Sequence, residues 1–294
     1  LTKLDLGDNR FGQDGAAAAL AAIVDGNTAI SELTLFNCRI DDAGAVVLGA
    51  ALSRNATLTT LSFSYNKFHG EGAAALAASL QLNTALRKLH LGGNDIGPAG
   101  AQALANALRH NSTLTALSLC NARIRKEGAD ELAGMLCSDA SFLTSLDVSL
   151  NRIGAEGASS LATALPHNTS LVTLNLSHNG IRGGGAVAVA AALQHNSSLR
   201  SINMQSNDIC DAGATALAAA LQQNAAVTAL DLSHNKVGCR GAIALAAALD
   251  HSPALTSVSL GRNADIDGAA LQGVLQRERR NQQRADNWAR RRPF

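Results

Sequence analysis

The chain has 294 residues and a formal net charge of +1; 47% of its residues are hydrophobic, 16% charged and only 3% aromatic. High hydrophobicity at near-zero net charge excludes disorder, and no run approaches the eighteen or more uncharged apolar residues of a membrane span. One Trp, one Tyr and six Phe leave the core to small apolar side chains, whereas an enzyme core of this length leans on aromatic bulk.

In chain order, the sequence repeats itself. Units open at Leu1, Ile30, Leu58, Leu86, Leu114, Leu143, Leu171, Leu199, Val227 and Leu255, in steps of 28 residues with 29 after the first and fifth, which makes ten units. Each begins LxxLxLxxN, whose alternation predicts a short strand. Apolar residues then recur three or four apart, as in Gly100 to Asn111, which predicts a helix whose alanines lie close to the strands. Stacked parallel strands sit about 4.8 Å apart but helices are about 10 Å wide, so the stack is expected to curve with its strands inside. Asn9, Asn66, Asn94, Asn151, Asn179, Asn207, Asn235 and Asn263 fall where each strand turns and are expected to bond the backbone of adjacent coils; Cys38 and Ala122 replace this residue in units two and five. A second series, Asn27, Asn55, Asn83, Asn111, Asn168, Asn196 and Asn224, follows each helix, where Asn tolerates a left-handed end. Glycines at 15, 44, 72, 100, 128, 157, 185, 213 and 241 are expected to allow tight entry to each helix and close packing.

The unit LTSLDVSLNRIGAEGASSLATALPHNTSL, Leu143 to Leu171, resembles the ribonuclease-inhibitor type of leucine-rich repeat, over about nine-tenths of the chain. The GA-x-ALA pattern of Gly213, Ala214, Ala216, Leu217 and Ala218 is similar to repeats of NOD-like receptors and GALA-type bacterial effectors. The resemblance implies an α/β fold, a right-handed leucine-rich-repeat solenoid or horseshoe with parallel strands on the concave face, helices on the convex face and about ten repeats. Residues 1–275 are read as the solenoid. Its tenth unit is a degenerate cap, because Ile266 and Gly268 fall out of register with Asn263. Residues 276–294 are read as a basic helical tail, with seven arginines against Glu278 and Asp286, a net of +5 that leaves the first 275 residues at −4. The tail reads as a solvated helix over the last coil, shielded by Trp288.

Binding residues are sought between the strand leucines. Phe36 and Tyr65 occupy adjacent coils of a chain poor in aromatics, and such rings anchor interfaces; Glu32, Lys67, Lys88 and His90 would rim them. A second candidate is the polar group Asn175, His178, Asn203, Gln205, Asp231, His234 and Arg262. His178 and His234 lie two coils, about 9 to 10 Å, apart by strand spacing, too far to share a metal, so neither metal nor cofactor is expected. No Ser/His/Asp triad, P-loop, HExxH or dinucleotide fingerprint occurs, and no catalysis is expected. Five cysteines without paired spacing point to a reducing compartment, with Cys210 and Cys239 approaching across coils as thiols. The sequons at Asn55, Asn111, Asn168, Asn175 and Asn196 come chiefly from the repeat itself. Leu1 falls inside a patterned segment and no leader precedes it, so the chain reads as a piece of a longer protein.

The expected function is recognition of a protein partner on the concave face, with no small-molecule substrate, no nucleic acid and no membrane span. Nineteen arginines against five lysines, with abundant Ala and Gly, suggest a GC-rich bacterial genome. The chain would then be the recognition domain of an effector in the host cytoplasm, or of a cytoplasmic sensor. The resemblance carries two alternatives, a GTPase-activating protein of the Ran-activator type and a substrate adaptor of a ubiquitin ligase.

Overall fold

The computed structural model describes residues 2–11, 24, 29–138, 142–252 and 254–290; the side chains of 285 and 287–290 fall outside this description. The expectations for Gly15, Asn27 and Trp288 therefore lie outside the described residues. The chain divides into two units, 1–152 and 153–294. The first holds strands β1 (Lys3–Asp5), β2 (Glu32–Thr34), β3 (Thr60–Ser62), β4 (Lys88–His90), β5 (Ala116–Ser118) and β6 (Ser145–Asp147), and helices α1 (Asp42–Leu52), α2 (Gly70–Leu80), α3 (Gly97–Leu108) and α4 (Arg125–Leu136). The second holds α5 (Gly154–Ala164), β7 (Thr173–Asn175), α6 (Arg182–Leu193), β8 (Ser201–Asn203), α7 (Asp211–Gln223), β9 (Ala229–Asp231), α8 (Cys239–His251), β10 (Ser257–Ser259) and α9 (Gly268–Arg290). Within each unit successive strands pair in parallel and in register. Leu4, Leu33, Leu61, Leu89, Leu117 and Leu146 stand opposite one another in the first, and Leu174, Ile202, Leu230 and Val258 in the second. This is the expected α/β leucine-rich-repeat solenoid.

Strands stay short because the backbone turns left-handed at one repeated place. The residue before each ladder position has φ between 52° and 74°: Asp8, Asn37, Tyr65, Gly93, Asn121, Leu150, His178, Ser206, His234 and Arg262. Asn66 sits immediately past one such turn. Its Oδ1 accepts the N–H groups of Cys38 and Ile40, both at 3.0 Å, while its Nδ2 donates to Leu35 O at 2.7 Å and Phe63 O at 3.2 Å. One amide thus satisfies polar groups of two coils that would otherwise be buried unpaired. Cys38 keeps part of this role, with Sγ 3.1 Å from Leu6 O; Ala122 keeps none, and Asn94 Nδ2 takes Leu91 O at 2.8 Å.

Two expectations are corrected. The asparagines after the helices are not left-handed; Asn224 has φ −81° and ψ 123°, and none of the other described members has a positive φ. They form a second buried ladder: Asn83 Nδ2 donates to Leu52 O and Asn55 O at 2.7 and 2.8 Å, and its Oδ1 accepts from Ala85 and Leu86. A short polar side chain, not backbone freedom, is what this position requires. The repeated glycines lie inside the first helical turn, not before it. A Cβ on Gly72 would come within 2.8 Å of Ala45 Cβ and 2.9 Å of Phe68 Cβ, so packing between successive helices excludes a side chain.

The starts of α2 and α8 are capped from the preceding coil. Asp42 Oδ1 accepts from His69 N and Gly72 N at 2.7 Å, and Asp211 Oδ1 does the same for Gly238 and Gly241 at the start of α8. Burial works to raise the Asp42 carboxyl, but the N–H and ring of His69 and the N–H of Gly72 outweigh it and hold it below its ordinary value.

Helix α9 closes the second unit in the manner of a further coil. Val274 and Asn281 are buried, and Asn281 Nδ2 reaches Leu249 O at 2.6 Å, as Asn224 reaches Leu193 O. Glu278 Oε1 accepts Val258 N at 2.7 Å, covering an N–H on the side of β10 that faces away from β9. Arg277 and Arg280 grip Asp250 at 2.6 and 2.5 Å. Hydrogen bonds from Arg277 and then Arg280 hold the Asp250 carboxyl below its ordinary value of 3.8. The folded pKa is depressed, so this docking energy is fully present above the ordinary value and is lost as pH falls through the lowered one. Asp250→Asn should lower the amide protection factors of α9 at neutral pH, and acidification below 3.8 should lower them in the wild type, with each rate referred to the intrinsic exchange rate at its own pH; equal protection in both proteins at neutral pH would refute this.

Candidate strand-face binding surface

In the first unit the two aromatics of adjacent coils meet. Phe36 and Tyr65 leave the ends of β2 and β3 with ring centroids 5.2 Å apart at 55°, and they remain 37% and 50% exposed. Tyr65 also lies over the next coil, since a Cβ on Gly93 would sit 2.7 Å from its Cγ. The pair is therefore both packed and presented. Of the residues expected around it, Glu32 pairs with Lys3 at 2.8 Å. Lys67 is exposed in the turn beyond Asn66, where its N–H meets Ile40 O; it stands in the row of Asp95 and Arg123, not on the strand face. Lys88 and His90 share the face of β4. Burial, then Lys88, pushes the His90 ring below its ordinary 6.5 while Asp147 opposes them.

Sequence reasoning missed the neighbours of His90. Ser118 Oγ donates to Asp147 Oδ2 at 3.3 Å, and Ser149 donates to Asp147 Oδ1 through both N (3.0 Å) and Oγ (2.7 Å). Burial raises the Cys120 thiol against a hydrogen bond from Ser149. The spacing Asp147, Ser149 was the available signal, because a carboxylate bonds readily to an N–H two residues on.

The same local bond governs the second unit. Asn175, Asn203 and Asp231 stand side by side on β7, β8 and β9, and the Oδ1 of each accepts from the N–H two residues later, that of Ser177, Gln205 or Ser233; Ser233 Oγ also donates to Asp231. One oxygen of each is thereby committed to shaping the turn. Gln205 is half-buried, and its carbonyl accepts from His178 N. His178, His234 and Arg262 are exposed in the left-handed row. The structure groups these seven as two adjacent rows, three at strand ends and three at the turns, with Gln205 between.

Among the described residues no three His, Cys, Asp or Glu side chains are placed to hold a metal ion. Cys210 and Cys239 turn apart rather than approach: Cys210 Sγ lies near Gly183, whereas Cys239 Sγ meets Asp265 O and Asp267 N at 3.3 Å. Asn55, Asn111, Asn168 and Asn196 are buried, which withholds those sequons from a glycan in the folded chain. Among the described residues no helix is long and apolar enough to cross a membrane.

The family described as Leucine Rich repeat matches seven segments, 1–18, 54–77, 82–105, 140–162, 167–190, 195–218 and 223–246, more than half of the chain. No curated protein matches the sequence. Among solved structures, the leiomodin-1 actin-binding site 2 is 21% identical with a TM-score of 0.41, covering 60% of this chain and 87% of that one. A tropomodulin C-terminal domain from Caenorhabditis elegans is 17% identical at 0.41, covering 46% and 81%. A TLR13–ssRNA13 complex is 17% identical with a TM-score of 0.58, covering 93% of this chain and 38% of that one; the likeness is one of fold.

Proposed function

We propose, from the premise that this chain belongs to the leucine-rich-repeat family, that it is a recognition module whose strand face binds a protein partner. Leucine-rich repeats generally mediate protein–protein interaction. The observation that carries the reading is the Phe36–Tyr65 pair, two large rings held against each other and still exposed in a chain of which only 3% is aromatic. Rigid aromatics of this kind supply much of the energy of interfaces. Lys88 and His90 extend the surface along β4. The polar rows of the second unit, from Asn175 to Arg262, offer adaptable hydrogen bonding.

Within that role the chain serves as the recognition part of a bacterial effector acting in host cells or of an intracellular sensor. The excess of arginine over lysine and the Ala- and Gly-rich repeats support this reading. Phe36→Glu combined with Tyr65→Glu should reduce partner capture from host-cell lysate at least tenfold by quantitative mass spectrometry, with circular dichroism unchanged. Undiminished capture by the double variant would place the partner elsewhere.

A further inference from the structure

Beyond the strand face, the most unbalanced charge of the molecule lies at the end of α9. This helix has 23 residues, about 34 Å of length. Its part up to Asn281 is committed to the solenoid: Val274, Arg277, Glu278, Arg280 and Asn281 make the contacts described above. After Asn281, residues 282, 283, 284 and 286 are all exposed. Residues 276–294 contain seven arginines and no lysine. Asp250 engages two of the seven, Arg277 and Arg280. Glu278 is turned to the backbone of β10, and Asp286 accepts from Gln282 at 3.2 Å. Arg279 and Arg284 are left to answer, and Arg290, Arg291 and Arg292 add their charge further along the sequence.

The distribution of these groups selects the partner. At 100° per residue, position 284 lies about 140° round the helix from position 279. Charge is therefore distributed to more than one side. A protein surface meets a helix from one side, whereas the phosphate rows of a duplex flank it on two, and a major groove about 12 Å wide admits a helix. Guanidinium groups bind phosphate with two parallel hydrogen bonds. A lipid bilayer fits less well, because among the described side chains beyond Val274 Leu275 is the one large aliphatic exposed, and it precedes every arginine.

We propose that the arginine-rich end of α9 binds a nucleic-acid duplex through its phosphates. The expectation from sequence was a solvated helix without nucleic acid, because no aromatic residues beyond Trp288 interleave the arginines; the structure adds that Asp250, the acid of the preceding helix that meets the tail, engages only two of its arginines and that the helix runs on past its docked turns. The test is fluorescence anisotropy with the full chain and a labelled mixed-sequence DNA duplex of about 20 base pairs. Engagement of about four phosphates should lower affinity on the order of 10²-fold between 50 and 200 mM salt. Arg279→Gln with Arg284→Gln should weaken binding at least fivefold without changing the melting temperature, since neither residue touches Asp250. No binding at 50 mM salt, an affinity for polyglutamate of equal charge as high as for the duplex, or binding only to phosphatidylserine vesicles would each overturn the proposal. None of these outcomes bears on Phe36 and Tyr65, which are tested by partner capture.

Discussion

Asn207→Ala is expected to destabilise the protein by roughly 3 to 5 kcal/mol, a large loss for one exchange of small residues. Asn207 is completely buried. Its Nδ2 donates to Leu176 O at 2.9 Å, Met204 O at 3.0 Å and Gln205 O at 3.1 Å, and its Oδ1 accepts from Asn179 N at 2.8 Å and Ile181 N at 3.3 Å. Alanine would remove all five and strand backbone groups in two coils where water does not reach, each costing about 1 to 3 kcal/mol if left unpaired. Partial relaxation keeps the total below their sum. Asn207→Asp, which sets a buried carboxylate against the three carbonyl oxygens that Nδ2 now serves, should be at least as destabilising as alanine. Urea denaturation followed by circular dichroism measures all three, and a loss under 1 kcal/mol for the alanine variant would refute the ladder as a principal source of stability.

Two adjacent glycines of α6 should respond to alanine with opposite signs. Gly185 belongs to the repeated series, and a Cβ there would fall 2.5 Å from Ile181 Cγ2 and 3.2 Å from both Ala155 Cα and Ala158 Cβ. Two of these three obstacles belong to the neighbouring helix α5 and one is backbone. Overpacking of this kind costs about 1 to 3 kcal/mol, so Gly185→Ala is destabilising and Gly185→Val more so. Gly184 is exposed and a Cβ there meets nothing within 4 Å. Gly184→Ala therefore gains helix propensity and restricts the unfolded chain, worth about 0.5 to 1 kcal/mol. Thermal melts of the two single variants should move in opposite directions; a shift of the same sign in both would show that close approach of the helices does not explain the repeated glycine.

The contrast between these neighbours also marks how much of the fold was legible in the sequence. Strand and helix positions followed from leucine spacing because burial of one face imposes the period directly. The Asn66 series was legible for a related reason: a polar residue recurring inside an apolar pattern must be satisfied by its neighbours. What the Asn83 series does was not, because the same residue type serves equally as a left-handed terminus and as a buried amide, and only the coil beneath it decides. Gly72 likewise reads as an entry turn until the neighbouring Ala45 is in place. At the candidate site, Phe36 and Tyr65 were conspicuous by rarity. The roles of Asp147 and Asp231 were hidden, because an acid on an exposed strand reads as free until the bond to the residue two places on is seen. Lys67 was misjudged through direction: the left-handed turn at Tyr65 carries the next residues off the strand face.

The two asparagine ladders have a consequence for how such a chain changes length. Nearly every rung reaches a partner 26 to 32 residues away, as with Asn196 and Leu165 or Asn207 and Ile181, and equivalent rungs are separated by one repeat. Removing or duplicating one complete period joins ends that already match, with each amide meeting a carbonyl in the same place as before. Removing any other number of residues puts donors opposite side chains and leaves two rows of buried polar groups unanswered. The sequence can therefore gain or lose recognition surface in whole coils, and hardly at all in between.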